Sequence, residues 1–381
     1  MIISRTPYRI SLFGGGTDFP SWYRRHGGSV IAGAINKYCY ISARYLPPFF
    51  EHKNRIVWSK IELSDDVSGI EHPAVRAVLQ YIGVDRGVEI HHVGDLPARS
   101  GIGSSSSFTV GLLKAIYALR GKMINKHDLA LEAVHLEQEI LRENVGSQDQ
   151  VSAAYGGLNH ISFHQSGEIS VVPMTIPAAR IRELENHLML FYTGIARTSS
   201  EVQQDFVDQI DSKKRQLRIL NDLTDEAIEI LNDTRDIREL GLLLEEAWDA
   251  KKGFSKRVTN SVVDDLHAEA IAAGAISGKI TGAGGGGFLM LFVPPEKHSD
   301  VRQALHRFTH VPFRFDFTGS QIMMASQDLD YPASAVARVF EPVQDFRSMT
   351  RGLNIEKEVV KKDVQPGTGP KDYDLDFEPT Y

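Results

Sequence analysis

Between positions 97 and 108 the chain reads Pro97-Ala98-Arg99-Ser100-Gly101-Ile102-Gly103-Ser104-Ser105-Ser106-Ser107-Phe108, a run of small and hydroxyl-bearing residues suited to chemistry on an anion. Glycines let a charged group approach the backbone, and the serines offer hydroxyls that donate to phosphate oxygens or ligate a hard cation. Such a loop works only if rigid elements hold it. A β-like run, Val88 to Val93, precedes it, and an apolar stretch at helical spacing, Phe108 to Leu119, follows and is closed by Gly121. The loop therefore feeds into a helix N-terminus, whose orphan N–H groups and positive dipole end attract anions. A flexible Gly/Ser linker has a similar composition, but the strand and helix flanks favour phosphate binding. No Gly-x-x-x-x-Gly-Lys-Ser/Thr occurs, so this is not a Walker A loop.

Five charged residues elsewhere invite the same scrutiny. In the helix expected over Lys126–Arg142, a rotation of about 100° per residue gathers Leu129, Ala130, Ala133, Val134, Ile140 and Leu141 on one face, with Glu137 in the middle. A carboxylate turned to the core needs an arginine, hydrogen-bond donors or a metal; a structural ion pair and a metal site both remain open. Asp149, in Asn144-Val145-Gly146-Ser147-Gln148-Asp149-Gln150, starts a helix and by itself reads as an N-cap. Arg9 lies in a strand over 2–13 interrupted at Pro7-Tyr8-Arg9, and Asp18 follows Gly14-Gly15-Gly16-Thr17; a structural ion pair and a helix cap are the plain alternatives. Arg197-Thr198-Ser199-Ser200, with Glu201 in the first turn, marks either a capped helix start or a second anion site. Gly282-Ala283-Gly284-Gly285-Gly286-Gly287 satisfies Gly-x-Gly-x-x-Gly, which by itself suggests a nicotinamide oxidoreductase, but it runs into the strand Leu289–Val293 and not into a helix, as a Rossmann loop would.

Three of these segments, in this order, resemble the three motifs of the GHMP kinases, which include galactokinase and the homoserine, mevalonate and phosphomevalonate kinases. Residues 5–18 look like the first motif in its sugar-kinase form; Pro97 to Ser106 looks like Pro-x-x-x-Gly-Leu-Gly-Ser-Ser, with Ile102 for the leucine; Lys279 to Gly287 looks like Lys-x-Thr-Gly-Ala-Gly-Gly-Gly-Gly. The resemblance implies an α+β fold: a ribosomal-protein-S5-like N-terminal domain over 1–180, a ferredoxin-like C-terminal domain over 181–328, and an extension of unknown role over 329–381. It implies an ATP-dependent sugar kinase, a phosphotransferase with an alcohol group as acceptor. ATP would lie on Pro97, Arg99, Ser100, Gly101, Ile102, Gly103, Ser104, Ser105, Ser106, Gly284 and Gly285. Magnesium would sit between Ser105, with Ser104 as the fallback, and Glu137; Asp149 would be the base, with Arg9 steadying charge on the attacking oxygen. Asp18, Gly15, Gly16, Thr17 and Arg197 would face the acceptor. Galactokinase has Gly-Glu-His where this chain has Gly14-Gly15-Gly16, a form similar to that of D-glycero-D-manno-heptose 7-phosphate kinases and fucokinase-like enzymes. The implied reaction is phosphorylation of the anomeric hydroxyl of the heptose 7-phosphate to the 1,7-bisphosphate. A fucokinase- or galactokinase-like enzyme acting on an unphosphorylated sugar, or a catalytically silent sugar- and ATP-binding regulator, is the alternative.

Composition narrows the partners. The 381 residues are 42% hydrophobic and 24% charged, as in a two-domain globular protein, and the net charge of -7 with no basic stripe argues against nucleic acid. The one cysteine, Cys39, excludes an internal disulfide and suits a reducing compartment. No signal-like or membrane-spanning apolar stretch is read, so the expected location is cytoplasmic, with a small-molecule sugar as ligand and a homodimer as the one assembly left open.

Overall fold

The computed structural model describes residues 1–195, 207, 210–255 and 257–326. Its first sheet is built on one long hairpin, β1 (Ile2–Phe13) and β2 (Gly28–Tyr45), joined through the glycine turn and α1 (Pro20–His26). β2 is long enough to serve two neighbours. Gly28–Gly33 pair with β6 (Leu158–Phe163), which carries β7 (Ile169–Pro173), while Cys39–Tyr45 pair with β5 (Val88–Gly94). Beyond β5 the sheet continues into β3 (Asn54–Val57) and β4 (Ile61–Ser64), so the alternating pattern over 55–63, which reads as a strand in the sequence, forms a short hairpin turning at Trp58-Ser59-Lys60.

Pro7 does not interrupt β1. It has no N–H to give the ladder, and the pairing with β2 shifts register after it without ending. At this irregularity β1 bonds to the chain above it: the Arg9 N–H donates to the Ile102 carbonyl at 3.0 Å, and the Pro7 carbonyl accepts the Ser107 hydroxyl at 2.9 Å.

The layer on this sheet consists of α2 (Pro73–Ile82), α3 (Ser104–Leu119), α4 (Lys126–His135) and α5 (Gln148–Tyr155). α3 packs on β1 and β2 and against α2, α4 and α5, so it is enclosed on nearly every side. That explains why it is apolar almost all round and not amphipathic: Val110, Leu112, Leu113, Ala115 and Ile116 are all fully buried.

A second, four-stranded antiparallel sheet runs β11-β8-β10-β9, from β8 (Leu188–Tyr192), β9 (Ser277–Ile280), β10 (Phe288–Phe292) and β11 (Thr309–His310). Around it lie α6 (Ala178–His187), α7 (Lys214–Asn232), α8 (Arg238–Lys252), α9 (Ser261–Ala272) and α10 (His298–Ala304). α6 falls inside 157–193, which reads as strands in the sequence. α7 runs through Asn221-Asp222, where a break is expected; Leu217, Leu220 and Leu223 lie on its buried side and hold it in place.

Residues 312–324 read as a single strand in the sequence, and the structure differs in two respects. Only Gln321–Ala325 forms β12, and it pairs antiparallel with β1 on the edge of the first sheet and not with the second. α7 also packs on β1 and β2. The glycine turn after β1 is thereby brought under α7 and α8.

Because α3 carries the loop at 97–103, its core side is the best place to separate stability from chemistry. Leu112→Ala, at a fully buried position, is expected to cost about 2–5 kcal/mol in denaturant unfolding, with substrate KM values within about twofold of wild type in the folded fraction.

Candidate active site

The loop 95–103 ends at Gly103, which caps α3 with no side-chain bond to the helix. The first helical bond is Ser107 N–H to the Gly103 carbonyl at 2.9 Å, so the N–H groups of Ser104, Ser105 and Ser106 have no intrahelical acceptor. This uncapped end is a cradle for an anion. The loop is pinned from beneath by Arg9, whose Nη1 donates to the Gly101 carbonyl at 2.8 Å, and internally by the Ser100 hydroxyl on the Pro97 carbonyl at 2.6 Å. Pro97 and Arg99 are exposed on the outer turn, Arg99 with a left-handed φ of 59°. From behind, the glycine run braces the loop backbone to backbone. A Cβ on Gly282 would lie 2.6 Å from the Gly101 Cα, which only glycine avoids. Gly287 lies equally close to Ser100. Gly284 and Gly285, the members expected at the nucleotide, pack on Val258, with the Gly285 N–H bonded to the Val258 carbonyl at 2.7 Å.

Glu137 is fully buried, as the apolar stripe requires, but the helix carrying it changes form. α4 stops at His135, and Leu136–Ile140 make a π-turn. The wider turn rotates the residues at its C-terminal end, so Ile140, expected on the apolar face, is exposed. The serine expected beside Glu137 is also corrected. It is Ser106, whose hydroxyl donates to Glu137 Oε2 at 2.8 Å; Ser105, about 100° round the helix, is exposed. Gln150 Nε2 donates to the same oxygen. The Thr109 hydroxyl lies 3.3 Å from the Ser105 carbonyl and near enough to Glu137 to favour its charged form, and among the described residues Glu137 Oε1 has no partner of hydrogen-bond geometry. Burial pushes the Glu137 carboxyl up to about 7, with Glu143 adding to the rise and the surrounding donors holding it back. An orphaned buried carboxylate oxygen beside a serine hydroxyl fits a small hard cation that takes few protein ligands.

Asp149 opens α5 and is gripped by Arg9 in a bidentate pair: Nε to Oδ1 at 2.7 Å and Nη2 to Oδ2 at 2.6 Å. The arginine side chain is 5% exposed and the aspartate 24%, so the pair opens on its carboxylate side. That side faces a cavity lined by Gly15, Gly16 and Asp18, among others. Asp18 is buried; it accepts from the Gly16 N–H at 2.9 Å and, through its other oxygen, from the Gln148 N–H at 3.3 Å. Burial and the nearby Asp149 charge raise its pKa, and those two N–H groups oppose the shift. Gly146 must be glycine, since a Cβ there would lie 1.9 Å from Asp18 Oδ2. Thr17 is not in the cavity wall, because its hydroxyl turns inward to the Gly14 and Ser29 carbonyls. Arg197 lies outside the described residues.

Several cavity residues are not singled out in the sequence, four polar ones among them: Ser11, Gln148, Lys251 and Lys279. Ser11 and Gln148 are buried, with Ser11 Oγ and Gln148 Oε1 lacking partners among the described residues; Lys279 brings a buried ammonium group and Lys251 a half-buried one. Lys279 opens the glycine motif, so its position was a usable signal. Lys251, beside Lys252 in the last turn of α8, reads as an ordinary basic helix end.

A polyphosphate seated on the α3 mouth would point its free end at the clamped aspartate and the cavity behind it, the arrangement of a phosphotransferase acting on a small molecule. The chain matches the GHMP kinases N terminal domain over residues 70–157 and the GHMP kinases C terminal domain over 212–310. It is 28% identical to the D-glycero-alpha-D-manno-heptose 7-phosphate kinase of Campylobacter jejuni over 331 residues, covering 83% of this chain and 96% of that one. It is 26% identical to the bifunctional fucokinase/GDP-fucose pyrophosphorylase of Arabidopsis thaliana over 336 residues, 78% of this chain and 30% of that longer protein. Among solved structures, a D-glycero-D-manno-heptose 1-phosphate kinase from Bacteroides thetaiotaomicron superposes with a TM-score of 0.69 at 24% identity, over 86% of this chain and all of that one. This chain therefore belongs to the GHMP kinases, has their fold, and is an ATP-dependent kinase. Among the described residues no helix is long and apolar enough to cross a membrane.

The raised Glu137 pKa has a definite sign in stability. The protonated carboxyl is favoured by folding, so its contribution is complete below about pH 4 and is lost as pH rises through 7. Glu137→Gln, measured without ligands, should match wild type in denaturant unfolding near pH 4.5. By pH 8 it should be the more stable by on the order of 2–3 kcal/mol.

Proposed function

We propose that this kinase transfers the γ-phosphoryl group of ATP to the anomeric hydroxyl of D-glycero-D-manno-heptose 7-phosphate, giving the 1,7-bisphosphate and ADP. The observation that carries the catalytic part is the Arg9–Asp149 pair, set between the uncapped mouth of α3 and a cavity whose walls are polar. Support for the acceptor comes from the heptose 7-phosphate kinase similarity and from the glycine turn that replaces Gly-Glu-His.

In this reading the backbone N–H groups of Ser104, Ser105 and Ser106 hold the terminal phosphates. Arg9 fixes both Asp149 oxygens in place, and each keeps a lone pair to accept a proton. As the acceptor oxygen bonds to the γ-phosphorus, its proton passes to an Asp149 oxygen and the bond from the γ-phosphorus to the ADP oxygen breaks. Arg9, 5% exposed and close to the developing charge, stabilises it in a site shielded from water. Asp18, Gly15 and Gly16 line the acceptor side, and the partnerless Ser11 Oγ and Gln148 Oε1 are available to sugar hydroxyls. Ser106 and Glu137 would hold a magnesium ion, which when bound neutralises charge on the bridging phosphate oxygens.

The test is ADP release over a panel of sugars and sugar phosphates with magnesium present. Turnover should be greatest with the heptose 7-phosphate; turnover confined to unphosphorylated fucose or galactose would overturn the acceptor assignment, and none with any member would overturn the sugar assignment. Asp149→Asn should lower kcat by about 10²–10⁴ with KM for ATP little changed.

A further inference from the structure

Lys279, buried, and Lys251, half-buried, are the two cavity cations that the proposed reaction leaves unused. Lys251 Nζ donates to the carbonyls of Ile280, at 3.2 Å, and Gly282; Lys279 Nζ donates to the Leu12 carbonyl at 2.6 Å. Neither has a carboxylate within ion-pair distance among the described residues, and both line the acceptor cavity. Each ammonium carries three N–H groups. One on Lys251 and two on Lys279 are therefore left over, and for the buried Lys279 an unpaired ammonium costs several kcal/mol.

The other charges of the cavity decide which ligand this cationic wall suits. Arg9, the remaining cation, is committed to Asp149 and the Gly101 carbonyl. The cavity wall includes no residue of the loop 97–107, nor Glu137, so the lysines belong to the acceptor side and not to the nucleotide groove. Burial pushes the Lys251 ammonium down to about 8, with Arg9 adding to the fall and Asp18 opposing it. Burial lowers Lys279 well below its ordinary range, with Lys251 and Arg9 contributing. A bound dianion opposes both shifts and restores the protonated forms.

We infer that Lys251, backed by Lys279, binds the phosphate already present on the acceptor and so selects a phosphorylated sugar over a free one. This rests on the sugar-phosphate reading of the acceptor and names the residues that would enforce it. Lys251 is thus a specificity-determining residue, separate from the base and from the helix mouth. The free N–H groups of the two lysines supply charge-assisted bonds to phosphate oxygens that a neutral hydroxyl cannot match.

Lys251→Met keeps the length and removes the charge, and losing a half-buried ammonium that has no carboxylate partner among the described residues should not unfold the protein. KM for heptose 7-phosphate, KM for ATP and kcat are measured by ADP release. Inorganic phosphate is titrated calorimetrically with the nucleotide site filled by a non-hydrolysable ATP analogue. The expected result is a rise of about tenfold or more in KM for the sugar phosphate, KM for ATP within about twofold of wild type, and loss of inorganic phosphate binding. Unchanged KM for the sugar phosphate overturns the inference. So does a fall in kcat with both KM values intact, which would place Lys251 at the transferring phosphoryl group. Should the wild type turn over no sugar at all, the acceptor reading fails separately, and phosphate binding that persists in Lys251→Met then overturns this one. Lys279→Met, under the same measurements, takes the place of Lys251→Met if that variant does not fold.

Discussion

The Arg9–Asp149 ion pair is the interaction on which the site depends. It joins three parts of the chain remote in sequence: β1 supplies the arginine, α5 supplies the aspartate, and the arginine's third nitrogen holds the Gly101 carbonyl of the loop between β5 and α3. A guanidinium that is 5% exposed cannot lose its partner cheaply, since breaking such a pair leaves a buried charge at a cost of about 3–5 kcal/mol. The pair is therefore a positional constraint on all three parts. β1 is tied to the loop a second time through backbone, by the Arg9 N–H on the Ile102 carbonyl, and to the first turn of α3 by the Ser107 hydroxyl on the Pro7 carbonyl. The register irregularity after Pro7 is what lets one strand serve both the sheet and the loop.

Around this pair the protein keeps a set of polar groups in conditions that favour ligands over an empty site. Among the described residues Glu137 has a buried oxygen with no partner of hydrogen-bond geometry, Asp18 is buried with its carboxyl pKa raised, and two ammonium groups sit against carbonyls alone. Each opposes folding, and an extensive core around α3, β1 and β2 offsets them. The glycines play the complementary part. Where the run at 282–287 meets the loop, and where Gly146 meets Asp18, backbone occupies space that any side chain would need. The geometry of the charged groups is thereby set by main chain, which is stiffer than rotamers.

Much of this site was legible in the amino-acid sequence. Gly101, Gly103 and the serines could be read because a loop of that composition between a strand and a helix has few uses. Glu137 could be read because a carboxylate in the middle of an apolar stripe must be buried, and it is. The reading failed where geometry departs from ideal periodicity. The π-turn at Leu136–Ile140 exposes Ile140, and a difference of one helical position puts Ser106, not Ser105, against the carboxylate. Gly284 and Gly285 could not be told from Gly282 and Gly287, because a glycine run does not show which member meets which neighbour. Lys251 was illegible for a different reason. A lysine in a final helical turn is ordinary, and only the packing of α8 on β9 turns this one inward.

The most direct measurement is a crystal structure of the protein with a non-hydrolysable ATP analogue, magnesium and heptose 7-phosphate bound together. The account predicts terminal phosphate oxygens on the N–H groups of Ser104 to Ser106, magnesium contacting Ser106 and Glu137, and the anomeric oxygen within hydrogen-bond reach of Asp149. A nucleotide seated away from the α3 mouth, or an acceptor hydroxyl out of reach of Asp149, would contradict it.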